Sequence, residues 1–393
     1  MGITLARRAE QLESSLIRDL LTVGERPGMR SLAGGLPDPA SFPTARIEAA
    51  TRAILQSPAR AERALQYGPT DGLPELRSVL AATPSVQRVA GAAADDFVIT
   101  SGSQQAVHLL ASVLGDPGAV VAVDDPCYLG ARQVLNAAGA QLVGIPVDHD
   151  GLRVDVLTER LQTGLRPRYV YTVPAYQNPS GAVLSAPRAA ELIALARHYG
   201  FLVIEDDAYG ALGYDAAPPP AMGSDAPDVV VTLGTTSKVI APGLRVGWLR
   251  APAEVRTAVV RTKQAIDLHT SSLSQLLVAD LLGDTEFLDA HLARTRRGYA
   301  SRAAALADAL TVAGVSFSAP RGGLFLWAAF RGVDTTALLE VALAGNVMFV
   351  PGSAFAVDEQ WHEHARLSFA TLPEPALLAA AADLVRLAQL GRS

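Results

Sequence analysis

The segment Gly234-Thr-Thr-Ser-Lys238-Val-Ile-Ala-Pro-Gly-Leu-Arg245-Val-Gly-Trp248 sets an arginine seven positions after a lysine. A lysine there can form an imine with a carbonyl, and an arginine offers a planar fork that matches phosphate oxygens. A nucleotide-binding Walker loop is excluded, because Ser237 and Val239 flank Lys238 where that loop requires Gly before and Ser or Thr after. A second candidate anion site is Ser101-Gly-Ser103-Gln104, which follows a predicted strand and opens a predicted helix. Free N–H groups and the positive end of the helix dipole favour a phosphate there, although in isolation the same residues also read as an ordinary Ser cap. Three consecutive acids, Glu205, Asp206 and Asp207, stand at the carboxyl end of another predicted strand, where open α/β sheets place ligands. Only two lysines exist, Lys238 and Lys263, so lysine-dependent chemistry has two candidates.

These residues need a scaffold, and the middle of the chain supplies its pattern. Short apolar, β-branched runs alternate with Ala/Leu-rich stretches, as in an α/β sheet with crossover helices. Strands are expected at Phe97-Thr100, Val120-Val123, Leu142-Pro146, Tyr169-Val173, Leu202-Glu205, Val229-Leu233 and Val246-Leu249, with helices at Ser103-Leu114, Tyr128-Ala138 and Pro187-His198. After about Asp284 the pattern changes to a long charged helix around His291-Leu310 and strands at Leu324-Phe330, Val347-Val350 and Arg366-Ala370. Ser31 to Thr44 is rich in Gly and Pro and reads as an irregular arm. The expected division is an N-terminal helix and arm over residues 1–45 that pack with the small domain, a large domain over 46–284, and a small α+β domain over 285–393.

Composition narrows the function classes. At 393 residues, 49% hydrophobic and 18% charged, the chain can build two substantial cores. A net charge of -6 provides no basic surface for nucleic acid. Cys127 is the single cysteine, which rules out an intrachain disulfide framework and a multi-cysteine metal site, and no metal is expected. No signal core or membrane-length apolar run is present, so the protein reads as soluble and cytoplasmic, with no membrane partner.

The Lys238 segment resembles the cofactor-lysine motif of class I/II aminotransferases. Ser101-Gly-Ser-Gln-Gln-Ala106, Asn178-Pro-Ser-Gly181, Glu205-Asp-Asp-Ala-Tyr209 and Arg366-Leu-Ser-Phe369 match the same family in the same order, over nearly the whole chain. The resemblance implies an α/β, aspartate-aminotransferase-like fold type I, with a mostly parallel seven-stranded sheet in the large domain, and pyridoxal 5'-phosphate as cofactor.

Residue by residue, it implies Lys238 as the Schiff-base lysine. Asp206, three residues before Tyr209, becomes the partner of the pyridine nitrogen, which selects it over Glu205 and Asp207. Tyr209 and Asn178 match the pair on the phenolate oxygen, and Tyr128 the aromatic on the ring. Ser103, Gln104, Thr235, Ser237 and Arg245 match the phosphate site. Arg366 resembles the arginine that grips the substrate α-carboxylate, with Asn178 beside it and Gly34-Gly35 in the arm that closes over the substrate. Tyr67 matches a tyrosine that reaches the phosphate of a neighbouring subunit, which implies a homodimer with shared sites.

Within the family, Ser15-Leu-Ile-Arg18-Asp-Leu-Leu21, Gly-Gly-Leu-Pro, Asp267-Leu-His-Thr270 and Gln177-Asn-Pro are similar to α-aminoadipate and broad-specificity aminotransferases. That similarity implies Arg18 as a reader of the substrate's distal group and an amino acid and a 2-oxo acid as substrates, with glutamate or an aminoadipate-like donor. Thr235, Ser180 and Cys127 depart from the commoner Ser, Thr and Ser. An enzyme of the same fold with diverted chemistry, such as a decarboxylase or an oxidase, is one alternative, and two more follow. One is an aminotransferase dedicated to a non-proteinogenic aromatic or basic amino acid of a secondary-metabolite pathway. The other is a non-enzymatic, regulator-like domain that binds the cofactor, although no room for a DNA-binding module is expected before the arm.

Overall fold

A computed structural model describes Gly24 and residues 26–214 and 219–390. Its largest sheet has eight strands, in the order Phe97–Thr100, Gly247–Arg250, Val230–Thr235, Leu202–Asp206, Tyr169–Thr172, Val120–Asp125, Gln141–Asp148, Gly151–Leu152. The five strands from Val230–Thr235 to Gln141–Asp148 are mutually parallel, whereas Gly247–Arg250 runs antiparallel to both its neighbours. All seven expected strands are present. The eighth, Gly151–Leu152, is a two-residue return that pairs antiparallel with Gln141–Asp148 and is too short to show as an apolar run.

Burial explains the strand composition. Every residue of Val230–Thr235 is buried, as befits a strand covered on both faces. One face packs Val121, Val123, Tyr171, Ile204 and Leu233 against the main core, and the other packs Ala122, Val170, Val203 and Val230 in a second core beneath the helix Ala186–Tyr199. Alternation therefore puts Asp206 on the side of Tyr171 and Ile204, and Glu205 on the other.

The sheet brings three loops to one edge. Gly247 pairs with Thr100 on one side and Thr235 on the other, so the turn after Thr100 and the Lys238 loop lie side by side. Asp206 pairs with Leu233 on the next strand.

A four-stranded antiparallel sheet, in the order Ser316–Phe317, Phe325–Ala329, His364–Ser368, Val350–Pro351, lies beside the 28-residue helix Thr285–Val312. The expected strand Val347-Val350 divides in two. Val347–Met348 pairs parallel with Arg30–Ser31, while Val350–Pro351 pairs with His364–Ser368. The arm is accordingly not irregular throughout: Arg30–Ser31 is a strand, and Leu32 donates its N–H to Met348 and accepts from Ser368. Leu32 and Ala33 are buried, and this apolar pair draws the Gly/Pro-rich arm into the core beside Arg366.

Candidate active site

Lys238 lies in the loop between Val230–Thr235 and Gly247–Arg250 and donates its Nζ to the Gly35 carbonyl at 2.8 Å. Burial, helped by the nearby Arg366, lowers its pKa to about 8, against the opposing pull of Asp206. The amine is thus closer to a neutral, reactive state than an ordinary surface lysine. His291, on the long helix, holds the following residue through a 2.8 Å bond to the Val239 carbonyl.

Burial likewise raises the Asp206 carboxyl to about 6. Tyr171 donates its hydroxyl to Asp206 Oδ2 at 2.7 Å, while Oδ1 is buried and has no partner among the described residues. Its neighbours are spoken for. Glu205 accepts from the Met222 and Gly223 amides and from Thr232 on the far face, and Asp207 takes Arg88 Nη1 at 2.7 Å and the Gly210 amide. Among the three acids only Asp206 keeps a buried, unpartnered oxygen.

Asn178 bridges the remaining groups. Its Nδ2 donates to the Tyr209 hydroxyl at 3.4 Å, and its Oδ1 accepts from Arg366 Nη1 at 2.9 Å. Arg366 is almost fully buried, its guanidinium 4.2 Å from the centre of the Phe325 ring and 5.1 Å from that of Phe355. Burial pushes it down to about 10, which leaves it charged at neutral pH. Nη2 reaches the Ala33 carbonyl, but Nε has no partner among the described residues. A buried cation with a spare donor suits an anionic ligand. Tyr128, half-buried, is pushed up to about 12 by burial first and by Asp206 second.

The Ser101–Gln104 turn faces Arg245. Gly102 has φ +84°, and a Cβ on it would lie 2.5 Å from Arg245 Nη2. A Cβ on Gly247 would in turn lie 2.8 Å from the Ser103 nitrogen, so only glycine lets the two loops approach. Helix Ser103–Leu114 begins here, and the Ser103 and Gln104 amides precede its hydrogen-bond ladder. Gln104 spends its side chain on the Gly130 carbonyl at 2.9 Å. Thr235 Oγ1 and Ser237 Oγ are 2.9 Å apart at the head of the lysine loop.

Residues 34–384 match the family described as Aminotransferase class I and II. The chain belongs to that family. This aminotransferase is 37% identical over 378 residues to aromatic-amino-acid aminotransferase 1 of Thermococcus litoralis, a match covering 94% of this chain and 90% of that protein. It is also 37% identical over 372 residues to the 2-aminoadipate transaminase of Thermus thermophilus, covering 93% and 91%. Among solved structures, the alpha-aminoadipate aminotransferase of Thermus thermophilus, complexed with N-(5'-phosphopyridoxyl)-L-leucine, superposes with a TM-score of 0.90 at 35% identity, covering 98% of this chain and 97% of that one. The architecture is the aspartate-aminotransferase-like fold type I. The enzyme moves an amino group between an amino acid and a 2-oxo acid, with pyridoxal 5'-phosphate as cofactor.

The donor set fits that cofactor. An orphaned carboxylate oxygen, a lysine with a depressed pKa and a glycine-lined turn beside an arginine answer its cationic ring nitrogen, its aldehyde and its phosphate. The structure brings together Lys238, Asp206, Tyr209, Asn178, Arg366 and Gly35, with Ser103, Gln104, Thr235, Ser237 and Arg245 along the same sheet edge. Tyr67 is 79% exposed and touches His269 edge-on, with ring centres 5.9 Å apart. Arg18 lies outside the described residues. Sequence reasoning missed Tyr171, Phe325, Phe355 and the Ala33 carbonyl. Strand alternation could have put Tyr171 on the face of Asp206, but no motif marks the other three. Among the described residues no helix is long and apolar enough to cross a membrane.

Proposed function

We propose that Lys238 carries the cofactor, Asp206 faces its ring nitrogen, Tyr209 and Asn178 its phenolate oxygen, and Tyr128 its ring. Ser103, Gln104, Thr235, Ser237 and Arg245 hold its phosphate, and Arg366, with Asn178 and Gly35, holds the substrate α-carboxylate. The observation that carries this reading is the Asp206 oxygen left without a partner among the described residues, beside a lysine whose pKa burial lowers to about 8. When bound, the cofactor supplies an electron sink for the bond broken at the substrate α-carbon. Lys238 Nζ, once freed by the substrate amine, would take the proton from that carbon and deliver it to the former aldehyde carbon of the cofactor, a role suited to an amine of pKa about 8. Arg366 fixes the carboxylate so that the α-hydrogen meets Nζ. Two substrates that share one site in turn give ping-pong kinetics.

The division into an arm over 1–45, a large domain over 46–284 and a small domain over 285–393 belongs to the same reading, as does a cytoplasmic location. The active form is a homodimer. Tyr67 presents an exposed ring with no role in its own subunit's site, and the nearby chain positions Leu65 and Leu268 are exposed too, as expected of a face that another subunit covers. Tyr67 then reaches the partner's phosphate. Mixing inactive Lys238→Ala subunits with Tyr67→Ala subunits should restore activity, because one of the two hybrid sites has both residues. A fully active monomer in sedimentation, or no gain on mixing, contradicts the shared site.

For substrate, we propose an acidic amino donor, glutamate or aminoadipate, read by Arg18. The relative named for 2-aminoadipate supports this. The equally similar relative named for aromatic amino acids favours a second reading, in which Arg18 swings aside for an aromatic side chain. A charge-assisted hydrogen bond worth about 1.5–3 kcal/mol amounts to roughly ten- to hundredfold in selectivity. In a donor-by-acceptor screen, Arg18→Ala should lower kcat/KM for acidic donors by that factor and leave neutral donors nearly unchanged. Equal losses for both classes would leave Arg18 without a recognition role.

A further inference from the structure

Lys263 takes no part in the chemistry assigned above, yet it is fully buried. A buried ammonium persists only with charge-assisted partners, and Lys263 has them: Asp267 Oδ1 at 2.8 Å, Asp267 Oδ2 at 2.9 Å and Gln105 Oε1 at 2.9 Å. Gln105 closes the triangle by donating Nε2 to Asp267 Oδ2 at 2.6 Å. Both acceptors then lead to one residue. The Ser101 N–H donates to Gln105 Oε1 at 2.7 Å, and the Ser101 hydroxyl lies 3.4 Å from Asp267 Oδ2 and 3.4 Å from Thr270 Oγ1. The Ser101 carbonyl accepts from Arg245 Nη2 at 2.9 Å. Every polar atom of Ser101 is therefore committed, and the backbone leading to the Ser103 and Gln104 amides is held in one orientation.

We propose that Lys263, Asp267 and Gln105 are positioning residues that lock the Ser101–Gln104 turn in its anion-binding orientation, and so set the affinity for the cofactor's phosphate without touching it. The inference rests on the reading of that turn as the phosphate site. Burial pushes the Lys263 amine down, and the Lys263 and Gln105 contacts overcome burial to hold the Asp267 carboxyl below its ordinary value. A lysine and an aspartate together add no net charge, so their effect on a phosphate comes through geometry rather than through field. The anchor sits behind the turn, where helix Ala253–Ile266 packs against Ser103–Leu114.

The test compares pyridoxal 5'-phosphate with pyridoxal, which lacks the phosphate, in equilibrium binding to cofactor-free protein by fluorescence quenching. Asp267→Asn should weaken the phosphorylated ligand by about 10- to 100-fold while pyridoxal affinity is unchanged. Gln105→Met keeps the Lys263–Asp267 ion pair and removes the Gln105 bonds to Lys263, to Asp267 and to the Ser101 N–H, leaving the triad only the 3.4 Å contact of Asp267 with the Ser101 hydroxyl. It should show the same selective loss even where Asp267→Asn fails to fold. Parallel losses for both ligands, or no loss for either, would make the triad a plain weld between two helices and overturn the proposal. Arg245→Ala is the control. Selective loss there with none in the triad variants defeats the positioning role alone, whereas no selective loss in Arg245→Ala removes the phosphate-site reading and the proposal with it.

Discussion

Lys238→Ala is expected to lower transamination by about 10⁴-fold and to leave a folded protein that still binds the cofactor. Lys238 stands in a loop, and its amine has one hydrogen bond, to the Gly35 carbonyl, so truncation costs the fold little. The variant should lose the borohydride-fixed covalent link between a lysine nitrogen and pyridoxal phosphate. No substitute exists among the chain's lysines. Lys263, the other one, is buried and committed to both oxygens of Asp267. Peptide mapping of borohydride-treated enzyme should recover the label on Lys238. A label on Lys263 in either protein would sink the assignment.

Asp206→Asn should separate stability from catalysis. Burial raises the Asp206 carboxyl from 3.8 to about 6, so its contribution to the stability of the cofactor-free chain is fully present below pH 3.8 and is lost as pH rises through 6. Ionisation in that site costs about 3 kcal/mol at neutral pH. Asparagine keeps the shape and removes the charge. Without cofactor, the variant should melt above the wild type at pH 7.5, and the gap should close below about pH 4. With cofactor the order of merit reverses for function, because the ring nitrogen loses its anionic partner. Cofactor binding should persist, and single-turnover proton transfer should slow by roughly 10²- to 10³-fold. Near-normal rates would mean that another acid serves the ring. A melting gap independent of pH would mean that Asp206 is not the strained carboxylate.

The neighbouring acids show where sequence reading stopped. Glu205, Asp206 and Asp207 have similar chemistry, and their types do not rank them; family spacing to Tyr209 did. In the folded chain the pleat turns Glu205 to amides on the far face and Arg88 occupies Asp207, which leaves Asp206 with the open oxygen. Strand periodicity is a local property and could be anticipated. The partners could not, because Arg88 is 119 residues from Asp207 and nothing in its own surroundings points there.

By itself, the sequence determined the alternating α/β architecture, the helix that opens at Ser103, the lysine loop and the order of the family motifs. Each is written in contiguous residues whose periodicity or turn chemistry is local. Tertiary structure alone decided three things. Pairing across the sheet edge put Gly102, Gly247 and Arg245 together, a contact between loops more than a hundred residues apart. Parallel pairing with Val347–Met348 drew the arm in, so that the Ala33 and Gly35 carbonyls meet Arg366 and Lys238. The buried Lys263, a surface lysine by residue type, became the back of the phosphate turn, because burial forced it onto the acceptors that also hold Ser101.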